Sequence, residues 1–188
     1  QLTLSRGITT IGFSAFQACS SLRSITLPEG LTTIEGAAFY GCDLVNVSLP
    51  LSLKTIEDCV YQGRPSSEYG TFANNKNLAS IIIPNGVTKI GSFAFSYCNS
   101  LQTIVLGNSL LSIGTNAFKH CSALTNIVIP NNISAIAAST FMGCSSLSQV
   151  TLPEGLTTIE DNAFYNCTEL TSITLPEGLT SMGKGVFQ

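Results

Sequence analysis

Leu156-Thr-Thr-Ile159-Glu-Asp-Asn-Ala163-Phe164-Tyr-Asn-Cys167-Thr-Glu-Leu170-Thr-Ser-Ile173-Thr-Leu175-Pro176-Glu-Gly178 is the clearest copy of a motif that the 188-residue chain repeats from end to end. Its Phe recurs as a column: Phe16, Phe39, Phe72, Phe95, Phe118, Phe141, Phe164 and Phe187. Neighbours in that column are 23 residues apart, except for a gap of 33 between Phe39 and Phe72. A fixed period of this size signals a solenoid, in which each coil buries its apolar face only against the next. Coils open at Ile8, Leu31, Leu53, Val87, Leu110, Ile133, Leu156 and Leu179, giving seven full repeats and a truncated one in a single domain, residues 1–188. The chain starts and stops inside a repeat and shows no polar caps or leader, so it is expected to be a segment of a longer protein from which any signal peptide is absent.

Within a coil, Leu-x-x-Ile-x-Leu-Pro (Leu22 to Pro28, Leu170 to Pro176) alternates with period two and ends on a Pro that cannot donate to a ladder. This pattern predicts a short strand. Successive copies are expected to lie parallel, about 4.8 Å apart, as one long sheet. Pro-Glu-Gly then suits a turn. A second short extended piece, Leu-x-x-Ile, leads into segments such as Gly114 to Cys121, where Thr115 could cap a single α or 3₁₀ turn on the opposite side. The expected architecture is therefore a repeat solenoid with a parallel sheet on one face and short helical turns or extended segments on the other. The column Phe is its buried spine.

One coil is irregular. About eleven extra residues fall between Asp58 and Phe72, an inserted loop near 59–71 rich in Gly, Pro and Ser. It concentrates contact-forming side chains (Tyr61, Arg64, Glu68 and Tyr69), which makes it a candidate binding loop; drift of a tolerated insertion is the alternative.

The chemistry-bearing residues argue against an active site. Cys19, Cys42, Cys98, Cys121, Cys144 and Cys167 each follow the column Phe by three residues, and Asn75 takes that place in the irregular coil. Side chains that point the same way from stacked coils neither face each other for disulfides nor converge on a zinc ion, so these thiols are expected to be buried and free. His120, the only histidine, has no evident partner and is expected to be exposed. Glu35, Glu57, Asp58, Glu160 and Asp161 recur at the repeat period, which favours turn capping over acid–base work. No enzyme and no cofactor are expected. A net charge of −3 with eight scattered Lys and Arg does not suit nucleic acid, and no apolar run approaches a membrane span.

The pattern Leu-x-x-Ile-x-x-x-Ala-Phe-x-x-Cys-x-x-Leu-x-x-Ile-x-Leu-Pro resembles the BspA-type leucine-rich repeat over essentially the whole chain apart from the insertion. The resemblance implies right-handed coils, a cell-surface or secreted location, and adhesion to a protein such as a host extracellular-matrix or plasma protein. It supplies no ligand-binding motif to carry over. Departures are Asn75 for Cys, Gly107 for Pro, the short coil at Cys42 to Leu44, and the insertion. A structural spacer that projects another domain, and a glycan-binding module, are the alternatives to protein binding.

A docking surface follows from strand alternation. The outward residue of each strand is Thr26, Ser48, Ile82, Val105, Val128, Thr151 or Thr174 in turn. Ile82, Val105 and Val128 are expected to form an apolar stripe, rimmed by Ser80, Thr103, Asn126, Gln149 and Ser172. Strand propensity alone would also favour such β-branched residues.

Overall fold

The computed structural model describes residues 2–61, 64–65 and 69–188, with the backbone alone described at 61 and 64–65. Two columns of very short parallel strands run along the solenoid. The first holds three-residue strands, among them Ser24–Thr26, Asn46–Ser48, Ser80–Ile82, Thr103–Val105, Asn126–Val128 and Gln149–Thr151. The second holds two-residue strands such as Thr33–Ile34, Thr55–Ile56, Lys89–Ile90, Ser112–Ile113 and Thr158–Ile159. Equivalent residues pair across coils: Ile25 with Val47, Ile81 with Ile104, and Ile34 with Ile56. The inward Ile, Leu and Val residues of the middle coils are buried or partly buried into one continuous core.

The first column is not one long sheet. Its ladder is interrupted between Asn46–Ser48 and Ser80–Ile82, and again between Thr103–Val105 and Asn126–Val128. The first break falls at the irregular coil, although the second column stays paired there, Ile56 with Ile90. The final expected strand, Leu170 to Pro176, forms no ladder. Leu170 and Ile173 are only partly buried there and Leu175 is 39% exposed, so that segment lacks the packing that holds its counterparts flat.

The expected helical turn is replaced by a third ladder. Among the described residues there is no helix. Around Phe118, the amides of Asn116, Phe118 and His120 donate to the carbonyls of Ala138, Thr140 and Met142 in the next coil, at 3.1, 2.9 and 2.7 Å. The intervening amides of Ala117, Lys119 and Cys121 donate locally to Gly114, Asn116 and Phe118. This division requires alternating backbone hands, and Asn116 and His120 sit at φ 58° and 57°. Left-handed geometry costs a non-glycine residue about 1–2 kcal/mol. A helix would spend every amide inside its own coil and leave none to bind the neighbouring coil. The same alternation recurs at Phe93 and Tyr97, and at Asn162 and Asn166.

The Phe column is the spine that the period predicts. Consecutive rings from Phe16 to Phe187 are near-parallel, with centroids 5.2 to 5.6 Å apart. Phe39 to Phe164 are fully enclosed. Beside it runs a thiol column. The Sγ of Cys42, Cys98, Cys121, Cys144 and Cys167 each donates to the carbonyl of the Phe in the coil before the one it follows, at 3.0 to 3.2 Å. Burial pushes the thiols of Cys98 and Cys167 up to about 12, which keeps them protonated as donors. The six column cysteines are free thiols, and Cys19 departs from expectation by being exposed, since no preceding Phe carbonyl or coil covers it.

Two irregularities that look independent in sequence form one feature. The second coil is a residue short: Leu44 follows Phe39 by five positions where Leu101 follows Phe95 by six. In a regular coil the leucine amide donates to the carbonyl of the column cysteine, as Leu101 does to Cys98 at 3.0 Å. Leu44 cannot reach its own. Its amide donates instead to Asn75 Oδ1 at 3.0 Å, while Asn75 Nδ2 donates to the carbonyls of Phe39 and Phe72 at 2.8 and 2.9 Å. Asn75 is therefore both the missing thiol donor and the acceptor that the short coil lacks.

Candidate functional site

The outward positions of the first strand column carry the apolar row. Ile82, Val105 and Val128 are 67%, 57% and 63% exposed, although the inward neighbours Ile81, Ile104 and Ile127 are buried. Strand alternation produces this contrast. Ile82 is in register with Val105, and Val128 with Thr151. Of the rim residues, Thr103 and Asn126 are exposed on the strands of Val105 and Val128, and Gln149 on the neighbouring strand of Thr151.

A hollow of about 300 Å³ extends the row at the first ladder break, lined by Val47, Leu49, Leu51, Ile82 and Pro84 among others. Leu51 stands at its lip, 77% exposed. Sequence alternation missed this residue because it lies in the turn, not the strand. The signal was present by column: the residue after the turn Pro is Glu29, Asn85, Asn131, Glu154 or Glu177 in other coils and Leu only here.

The insertion departs from the solenoid as a small antiparallel pair, Val60–Tyr61 with Arg64–Pro65. The side chains of Tyr61 and Arg64, and all of Glu68, lie outside the described residues. Tyr69 is 40% exposed and packs edge-on against Tyr40 at 4.7 Å. The loop re-enters the core through Gly70, where a Cβ would come within 1.8 Å of the Phe93 carbonyl oxygen, so no larger residue fits. Thr71 follows, fully buried, and donates its hydroxyl to the Glu57 carbonyl at 3.0 Å.

The root of the loop is an ion cluster. Lys89 Nζ lies 2.8 Å from Glu57 Oε2 and 2.7 Å from Asp58 Oδ2. Asp58 Oδ1 also accepts the Ser92 amide at 2.6 Å. Partial burial alone would raise the Asp58 carboxyl, but the hydrogen bonds from Lys89 and Ser92 hold it below the usual range. The other recurring acids work as the period implies. Glu35, Glu160 and Asp161 accept the amides of Phe13, Ala138 and Lys184 in neighbouring coils. They cap turns.

His120 is partly covered instead of fully exposed. Its ring lies 4.8 Å from Tyr97 and over Gly143, whose missing side chain leaves the space. Burial, and then the Lys119 charge, lower its proton affinity. Among the described residues no group of three or more His, Cys, Asp or Glu converges to hold a metal ion.

The sequence profile described as "BspA type Leucine rich repeat region" matches residues 1–69 and 66–188, with six copies. The chain belongs to the BspA-type leucine-rich repeat family. The BspA-type fold is shared with the crystal structure of a leucine-rich repeat protein of T. pallidum: TM-score 0.82, 30% identity, over 91% of this chain and 78% of that one. A leucine-rich cell surface protein of Faecalibacterium prausnitzii A2-165 is also similar, with TM-score 0.71 and 29% identity over 89% of this chain. This chain spans 45% of that protein's length. Comparison with curated proteins returned no match.

Proposed function

We propose that this BspA-type solenoid is a non-enzymatic protein-binding module of a surface or secreted protein. Its docking site is the row Ile82, Val105 and Val128, with Thr103, Asn126 and Gln149 as its polar rim. The carrying observation is that three large apolar side chains, each more than half exposed, stand on successive strands of the first column, which remain neighbours across the ladder break. An apolar centre with a polar rim is the anatomy of a protein interface. The hollow beside Leu51 offers an anchoring pocket where the ladder is interrupted. Surface location is supported by the F. prausnitzii relative, described as a leucine-rich cell surface protein. No described helix is long and apolar enough to cross a membrane.

The partner class is a host extracellular-matrix or plasma protein. The test is binding to immobilised fibronectin, fibrinogen and collagen, comparing the parent with a variant in which Ile82, Val105 and Val128 are all Thr. Threonine preserves β-branching, so the fold is retained. The variant is expected to lose most binding with an unchanged melting profile. Equal binding by both proteins would leave strand propensity as the whole explanation of the row.

A further inference from the structure

The one-residue deletion that Asn75 repairs also leaves a depression on the surface. It measures roughly 470 Å³ and is lined by Ser20, Tyr40, Asp43, Asn74, Lys76 and Asn77 among others. It shares no residue with the apolar row. Its chemistry departs from that of the other coils. The two positions after the column cysteine are elsewhere small or uncharged, as in Ser20-Ser21, Asn99-Ser100, Ser122-Ala123 and Ser145-Ser146, apart from Glu169. Here Asp43, Lys76 and Asn77 occupy them.

Asp43 is held from two sides. The Arg23 guanidinium lies 3.4 Å from Oδ2, and the Asn77 amide donates to Oδ1. The carboxylate is thus oriented, with lone pairs left to accept further hydrogen bonds. Lys76 is exposed and has no ion-pair partner among the described residues. Tyr40 forms a wall, its ring braced by Tyr69. Asn74, at φ 60°, presents a second carboxamide beside it.

We propose that this hollow binds a carboxylated sugar of the uronic or sialic acid type, with Lys76 taking the carboxylate and Asp43, Asn74 and Asn77 taking the hydroxyls. A neutral sugar would leave the Lys76 ammonium without a counter-charge. A bare inorganic anion would gain Lys76 but meet the Asp43 carboxylate. A carboxylated sugar satisfies both, because its hydroxyls donate to Asp43 while its charge pairs with Lys76. Carboxamides both donate and accept, which suits adjacent hydroxyls. The volume lies within the range of small-ligand sites, about 300–1,000 Å³.

The experiment is an amide chemical-shift titration of the full chain with sodium glucuronate, glucose and sodium acetate at matched ionic strength. Glucuronate is expected to move the amides of residues 40–43 and 74–77 with a Kd on the order of millimolar. Glucose and acetate are expected to move them far less at equal concentration. Lys76→Met, which keeps the aliphatic stem, is expected to weaken glucuronate binding about three- to fivefold with unchanged melting. Asn77→Ala gives an independent loss through the Asp43 contact. The proposal is overturned if acetate or glucose matches glucuronate, if Lys76→Met binds like the parent, or if these amides stay still at about 50 mM glucuronate. Failure here leaves the apolar row untouched, since the two sites have no residue in common.

Discussion

Restoring the repeat's consensus cysteine at Asn75 is expected to destabilise the protein. Asn75 and Leu44 are both fully buried. In Asn75→Cys, the thiol can still donate to the Phe39 carbonyl, as Cys98 does to Phe72 at 3.2 Å. Two bonds disappear: Nδ2 to Phe72 at 2.9 Å and the acceptor for the Leu44 amide at 3.0 Å. The first is worth about 1 kcal/mol; the second leaves a buried N–H with no partner, about 1–3 kcal/mol. The expected loss is therefore about 2–4 kcal/mol. Inserting one serine between Asp43 and Leu44 lengthens the second coil and lets Leu44 bond to its own Cys42. That insertion alone is expected to destabilise, whereas combined with Asn75→Cys it should recover most of the loss. Urea unfolding followed by circular dichroism measures all four proteins, and the cycle isolates the coupling. A loss below about 0.5 kcal/mol for Asn75→Cys, or additive effects in the double variant, would refute the compensation argument.

Native protein treated with a thiol reagent is expected to label quickly at Cys19 alone, with Cys98, Cys121 and Cys144 reacting only after denaturation, because burial raises those thiols and encloses them; rapid native labelling of four or more cysteines contradicts this. The acid limb of stability should depend on Lys89. The Asp58 carboxyl is depressed in the folded state, so its contribution is present above its ordinary value of 3.8 and is lost as pH falls through the lower folded value. Lys89 is raised, so its contribution holds below its ordinary 10.5 and is lost only as pH rises past the folded value. Lys89→Met is expected to narrow the difference in urea midpoint between about pH 7 and about pH 2.5, without abolishing it because the Ser92 amide still bonds Asp58; an unchanged difference removes the ion cluster from the account.

The repeat period determined the coil count, the inward columns and the Phe spine, because in a one-dimensional stack each coil must offer its neighbour the same apolar face, and identical faces leave identical spacing. Outward placement of Ile82, Val105 and Val128 followed from strand alternation by the same logic. What lay beyond the sequence was where each backbone amide finds its acceptor. Gly114 to Cys121 satisfies the local pattern of a helical turn, but its amides are shared with the coil ahead, and only the stacked structure decides that alternating hands of backbone serve both. Asn75 appeared as a lapse from the cysteine column and Cys42 to Leu44 as a lapse from the period. They meet because solenoid neighbours 31 residues apart in sequence are in hydrogen-bond contact. Leu51, Asp43, Lys76 and Asn77 stand out by column in the sequence, but the hollows they line are set by the stacked coils. Both sit where the repeat is broken, so the period marks which residues depart from it and gives no geometry for the spaces between them.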